Sequence, residues 1–217
     1  MIDLHTHTLF SDGVLLPAEL ARRAQVLGYQ ALAMTDHVDS SNLDFVLPRL
    51  VAACADLQPE MSITLIPGVE ITHVPPVLIG PLAGRARDLG AKIIVVHGES
   101  VVEPVCPGTN RAALESDVDI LAHPGLISIE DAALAARNGV CLEITTRRGH
   151  SITNGHVARM AREAKAPLLL NNDAHAPGDL VTLDFAAKVA RGAGLDDDKW
   201  LLMRKKSEEL VRKVLAA

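Results

Sequence analysis

Nine histidines in 217 residues, six of them in a regular relation to short apolar runs, are the side chains best suited to chemistry here. His5 and His7 follow the run Ile2 to Leu4, His37 follows Ala31 to Met34, His97 follows Lys92 to Val96, His123 follows Asp119 to Ala122, and His175 comes after Pro167 to Leu170. Carboxylates keep the same register, since Glu70 follows Ile63 to Val69 and Asp173 precedes His175. A lone histidine is usually a hydrogen-bonded core or surface residue. Six at equivalent places, accompanied by Glu70, Asp12 and Asp173, predict cation binding, because crowded imidazoles and carboxylates would otherwise repel or stay unsatisfied. His5 and His7 are two apart, so an extended segment turns both rings to one side. Cys54, Cys106 and Cys141 are widely spaced and form no C-x-x-C pair, which leaves nitrogen and oxygen as donors. Such donors suit zinc, manganese or iron, and residue types alone do not choose among the three.

The elements that must carry these residues follow from the same runs. A seventh, Val140 to Ile144, completes the set, and stretches with helical spacing lie between, such as Pro17 to Leu27 before Gly28, Ile79 to Leu89 before Gly90 and Ile129 to Arg137 before Gly139. Continuous apolar strands alternating with amphipathic helices predict a parallel sheet covered by helices, and starts roughly 20 to 30 residues apart match a βα unit. A doubly wound open sheet is the competing architecture, but its G-x-G-x-x-G turn is absent, so a seven-unit barrel is preferred. In such a barrel the C-terminal ends of all strands share one face, where distant residues meet. No Ser/Gly linker interrupts the chain, and residues 1–217 read as one domain. After an acidic stretch near Asp196 to Asp198, a last helix is expected over Ser207 to Leu215 with Ser207 as its cap.

Composition removes several classes. With 48% apolar and 22% charged residues the chain can bury a core, which excludes disorder. A net charge of -6 and only five aromatic residues (one Trp, one Tyr, three Phe) argue against a nucleic-acid partner. No basic leader precedes an apolar segment, and no run approaches the ~20 residues that span a bilayer, so a cytoplasmic protein without a membrane partner is expected.

Taken together, His5-Thr6-His7 with Ser11-Asp12-Gly13, Thr35-Asp36-His37, Gly68-Val69-Glu70, Val96-His97-Gly98, Ala122-His123-Pro124-Gly125 and Asp173-Ala174-His175 resemble the PHP (polymerase and histidinol phosphatase) domain family across essentially the whole chain. The resemblance implies a distorted seven-stranded (β/α)7 TIM-like barrel holding two or three divalent ions and, most often, phosphoester hydrolysis. It assigns His5, His7, Glu70 and Asp173 to a first ion, with Glu70 bridging to a second held also by His97 and His123, and Asp12, His37 and His175 to a third. Asp12 departs from family members that carry histidine there. Asp36 is expected to orient a ligand histidine.

Two ions about 4 Å apart lower the pKa of a bridging water toward ~7 and clamp the oxygens of an in-line displacement. Glu70, Asp173 and His175 are therefore the expected catalytic residues, and the expected reaction is phosphate release from a small phosphorylated metabolite. Histidinol phosphate is the family's example, although a chain this short and poor in aromatic residues fits it less well. Phosphodiester or cyclic phosphate hydrolysis, attack on a C–N bond, and a non-catalytic metal-binding module are the alternatives. Arg147, Arg148 and His150, after the sixth strand, are the expected substrate contacts, a guanidinium fork suiting phosphate oxygens. Ser151 or Thr153 could cap the helix near Asn154, and the amides of Pro107 to Arg111 could meet an anion. Glu99 and Glu103 are loop charges that could order neighbours or meet an amine, while His73 and His156 read as solvated.

Overall fold

The computed structural model describes residues 1–216. The chain runs β1 (Ile2–Asp3), α1 (Pro17–Val26), β2 (Ala31–Met34), β3 (His37–Val38), α2 (Leu43–Leu57), β4 (Thr64–Ile71), α3 (Pro76–Asp88), β5 (Ile93–His97), α4 (Thr109–Leu114), β6 (Ile120–Ala122), α5 (Ile129–Asn138), β7 (Cys141–Thr145), α6 (Asn154–Ala164), β8 (Leu168–Asn171), α7 (Leu183–Gly192) and α8 (Asp197–Ala216). Strands are ordered β1-β2-β4-β5-β6-β7-β8, every neighbour parallel, in a nearly closed seven-stranded barrel of the expected type. The short β3 is an addition to that plan: it pairs with β4 so that His37 lies directly opposite Glu70.

Alternation along the strands divides the core. Leu32 and Met34 point outward to the helices, whereas Ala31 and Ala33 join Leu4, Ile66, Ile93, Val95, Ile120, Ala122, Cys141 and Leu169 inside the barrel. Leu210, Val211 and Val214 of α8 belong to that interior cluster, and Lys213 Nζ lies 3.7 Å from Asp119 Oδ1, just before β6. The terminal helix thus stoppers the barrel at the N-terminal ends of its strands. Burial pushes the thiols of Cys54 and Cys141 up to about 12, as befits core fillers.

Ser207 is no cap. It lies inside α8, buried, with its hydroxyl donating to the Met203 carbonyl at 3.3 Å. The helix begins at Asp197, ten residues before the expected start, and the acidic stretch supplies the negative first turn that the helix dipole favours. The seam between the first and last strands has little ladder. It is closed by a single bridge, Thr6 to Ala174, and by side chains: Asn171 Oδ1 accepts from Leu4 N at 2.9 Å, and Asp3 Oδ1 accepts from Asn172 N at 3.2 Å. Among the described residues, no helix is long and apolar enough to cross a membrane.

Candidate metal centre

The strand ends deliver His5, His7, Glu70, His123 and Asp173 to one buried point at the C-terminal face of the barrel. Glu70 is its hub. Its Oε1 lies 3.3 Å from His5 Nε2 and 3.8 Å from His123 Nε2, and its Oε2 lies 2.6 Å from His37 Nδ1 and 3.7 Å from His7 Nε2. Asp173 faces it, with Oδ1 3.1 Å from His7 Nε2 and 3.7 Å from His5 Nε2, and Oδ2 3.6 Å from His123 Nε2. Toward solvent, Asp12 Oδ1 lies 3.5 Å from His37 Nε2 and 3.1 Å from His175 Nε2. His123 and Asp173 both have positive φ, 27° and 52°, a conformation that costs about 1–3 kcal/mol in a residue with a Cβ and that clusters where side chains must be aimed.

Hydrogen bonding fixes which imidazole nitrogens face inward. His5 Nδ1 donates to Glu143 Oε1 at 2.9 Å, and His175 Nδ1 donates to the Asp173 carbonyl at 2.9 Å, so the Nε2 lone pairs turn to the centre. Burial and neighbouring His37 hold His7 well below the ordinary imidazole range, and burial with His97 does the same to His123. Burial pushes Asp173 up to about 7, with Glu70 adding to the rise against the pull of His5. His5 Nε2, both ring nitrogens of His7 and of His123, Glu70 Oε1 and Asp173 Oδ1 are buried without a hydrogen-bond partner. Orphaned acceptors packed this closely are costly unless a cation satisfies them, and three groups here, His5/His7/Glu70, His5/His123/Asp173 and His7/Asp12/His37/His175, bring ligand atoms within 4.8 Å of one another. The donor chemistry fits a divalent ion.

His97 and His123 are brought together with His150 in a further such group, which does not include Glu70. Glu103 and His73 join from the rim: Glu103 Oε2 lies 3.0 Å from His73 Nε2 and 3.1 Å from His97 Nε2. His73, read from the sequence as merely solvated, therefore belongs to the mouth, whereas His156 sits on α6 with Nε2 donating to the Ile127 carbonyl at 2.8 Å.

The expected substrate residues divide. His150 is buried within the cluster, but Arg147 is engaged 3.1 Å from Asp179 Oδ2, and that carboxylate in turn accepts from the amides of His175 and Ala176. Arg147 thus buttresses the His175 loop. Exposed Arg148 borders a neighbouring cavity of about 380 Å³ shared with Asn172, Thr182 and Phe185. Asp36 orients no histidine; it accepts from the amides and hydroxyls of Thr8 and Ser11, fixing the loop between His7 and Asp12. The amides of Gly108 and Asn110 are taken by Glu99 Oε1, so the start of α4 offers no anion site. Neither Ser151 nor Thr153 caps α6; the Thr153 hydroxyl donates to the His150 carbonyl.

Sequence reasoning missed Glu143. Fully buried in β7, it accepts from His5 Nδ1, from the His123 amide at 3.1 Å and from Asn171 Nδ2 at 2.9 Å. A carboxylate in the middle of the apolar run Val140 to Ile144 was the available signal. Gly125 keeps the His123 turn in place: its φ is +62°, and a Cβ there would overlap the Glu99 carbonyl oxygen. Gly125→Ala is expected to cost about 1–3 kcal/mol, read as a lowered melting temperature; an unchanged melt would contradict the packing described.

A family model described as PHP domain matches residues 3–165. An uncharacterized protein of Methanocaldococcus jannaschii is 53% identical over 195 residues, 89% of each chain. Among solved structures, a chain in a cryo-EM structure of archaeal ribonuclease P with mature tRNA has a TM-score of 0.69 at 20% identity, covering 99% of this chain and 89% of that one. Histidinol phosphate phosphatase from Lactococcus lactis, solved with zinc, L-histidinol and phosphate, has a TM-score of 0.63 at 15% identity, covering 90% and 94%.

Proposed function

Because this chain belongs to the PHP domain family, we propose that it is a metal-dependent phosphoesterase that releases phosphate from a small phosphorylated metabolite. The observation that carries this reading is the set of buried, unpartnered nitrogen and oxygen atoms around Glu70 and Asp173. His5, His7, Glu70 and Asp173 would hold one ion, Glu70 with His97 and His123 a second, and Asp12, His37 and His175 a third; Glu70 lies within 3.8 Å of His5, His7, His37 and His123. Zinc, manganese or iron bound there supplies Lewis acidity, lowering the pKa of water and neutralising charge on phosphoryl oxygens. The chain's own residues orient the donors: Glu143 fixes the His5 ring, Asp36 holds the Thr8 to Ser11 turn, and the Arg147–Asp179 pair steadies His175. Arg148 and Phe185, beside Asn172, would receive the rest of the ester. The neighbouring fold of a zinc-containing phosphatase supports the same chemistry. The test is phosphate release from a metabolite panel by metal-stripped protein, each ion restored separately; turnover that persists without metal overturns it.

A specific observation favours a second reading. The overall charge of -6 hides a basic groove of about 720 Å³ between α6 and α8, lined by Arg159, Arg162, Lys165, Lys199, Lys205 and Lys206 against Asp196 and Glu209. Together with the fold shared with a chain of archaeal ribonuclease P, this supports an RNA partner, contrary to the expectation from composition. Salt-dependent binding of tRNA, weakened by Arg162→Glu with Lys165→Glu, would support it, and binding indifferent to both changes would not.

A further inference from the structure

The cavity of about 380 Å³ beside the metal centre has walls of unlike chemistry. The turn after β7 brings Thr146 and Arg148 to it, and the segment after β8 brings Asp179, Thr182 and Phe185. Asp179 joins it to the centre, because its Oδ2 accepts from the His175 amide at 3.0 Å and from Arg147 Nη1 at 3.1 Å. Arg147 is committed to that carboxylate, whereas exposed Arg148 has no ion-pair partner among the described residues. Phe185 is 49% exposed on the first turn of α7, whose buried face is supplied by Ala186 and Ala190, so the core does not require its ring. Its position is set nonetheless, since the Phe185 amide donates to the Thr182 hydroxyl that caps the helix. Buried Asn172 is satisfied on both sides, its Nδ2 donating to the Tyr29 hydroxyl at 2.8 Å and its Oδ1 accepting from the Thr146 hydroxyl at 3.2 Å. The Thr146 oxygen can therefore accept a further bond, and the Thr182 hydroxyl, whose oxygen already accepts, can donate one.

An aromatic face, a free guanidinium plane, one acceptor and one donor in a single cavity match a flat heteroaromatic ring with both donors and acceptors along its edge. We propose that this cavity binds a nucleobase, so that the ester cleaved at the centre is a nucleoside phosphate; this rests on the phosphoesterase reading. Phe185 supplies the stacking face, Arg148 a cationic contact to the ring, and the Thr146 and Thr182 hydroxyls its edge contacts. The volume suits a ligand of nucleoside size, and the ribose would lead past the Arg147–Asp179 pair to the phosphate. Hydrolysis forms a P–O bond from water and breaks the ester P–O bond, the ribose oxygen leaving with a proton from that water. Phe185 and Arg148 are thus specificity-determining residues and take no part in the bond exchange.

The experiment compares adenosine 5′-phosphate with ribose 5-phosphate, which share the leaving alkoxide and differ in the base, using metal-loaded protein. Wild-type kcat/KM should favour the nucleotide by about 5- to 150-fold, the worth of one stacked base. Phe185→Ala should reduce that ratio to within about 2-fold by raising KM for the nucleotide, Phe185→Leu should do the same, and Phe185→Trp should keep the preference. Arg148→Gln should lower the ratio by about 2- to 5-fold. A 5′-phosphorylated trinucleotide run in parallel tells a free nucleotide from an RNA end by which is the better substrate. Equal kcat/KM for the two esters in wild-type protein, or a preference that survives Phe185→Ala, overturns the proposal. Calorimetric binding of adenosine 5′-phosphate separates the two readings: binding that depends on Phe185 without phosphate release sinks the phosphoesterase and keeps the base site, release from both esters with equal efficiency does the reverse, and neither binding nor release sinks both.

Discussion

Asp173→Ala will reduce phosphate release by on the order of 10³-fold or more and strip the centre of ions. The carboxylate is the shared anion of four imidazoles, with Oδ1 3.1 Å from His7 Nε2 and 3.4 Å from His175 Nδ1, and Oδ2 3.6 Å from His123 Nε2. Removing it leaves His5, His7 and His123 packed together with Glu70 as their only central charge. His7→Ala should behave alike, since its ring stacks 4.1 Å from His175 and lies tilted 4.2 Å from His37 at the junction of two ligand groups. Phosphate assay and elemental analysis on the same preparations check this. Either variant keeping wild-type rate and ion content would refute the assignment. Chelation of the wild-type protein should reproduce the loss and lower the melting temperature, because an ion at 100 times its Kd contributes about 2.7 kcal/mol, or roughly 5–10 °C in a chain of this size.

The second large effect is expected at a residue that touches no ion. Glu143→Gln should weaken ion binding ~10–100-fold while leaving the protein folded. The carboxylate accepts from three donors, His5 Nδ1, Asn171 Nδ2 and the His123 amide. An amide at that place must turn its NH₂ toward one of them, leaving a buried donor unmet at a cost of about 1–3 kcal/mol. The His5 ring is then free to swing or to change tautomer. Zinc titration measures the first effect and a denaturant melt the second; Glu143→Gln with wild-type zinc affinity would show that the ring is held by packing alone.

The barrel and its centre were legible because both rest on short-range patterns. Apolar runs such as Ala31 to Met34 and Ile93 to Val96 announce buried parallel strands, and His37, Glu70 and His97 stand at the ends where loops converge. What escaped notice depends on partners far away in sequence. Arg147 resembles a substrate contact until Asp179, on the segment after β8, claims it. Glu99 resembles a loose loop charge until the amides at the start of α4 fold onto it. Ser207 has the residue type of a cap, but α8 had already begun at Asp197, where the acidic turn carried the actual signal. A net charge is an average, and it hid the basic groove beside α6.

The seam between β1 and β8 links assembly to chemistry. His5 and His7 stand on one lip, Asp173 and His175 on the other, and the backbone tie between the lips is the bridge at Thr6 and Ala174, where His7 N donates to the Ala174 carbonyl at 2.9 Å. A growing polypeptide therefore cannot complete the His5/His7/Glu70/Asp173 or the Asp12/His37/His175 set until residues 173–175 have emerged, and the contacts that finish them are among the most sequence-distant in the molecule. A bound cation would act as a rivet across that joint, and opening the joint would release it.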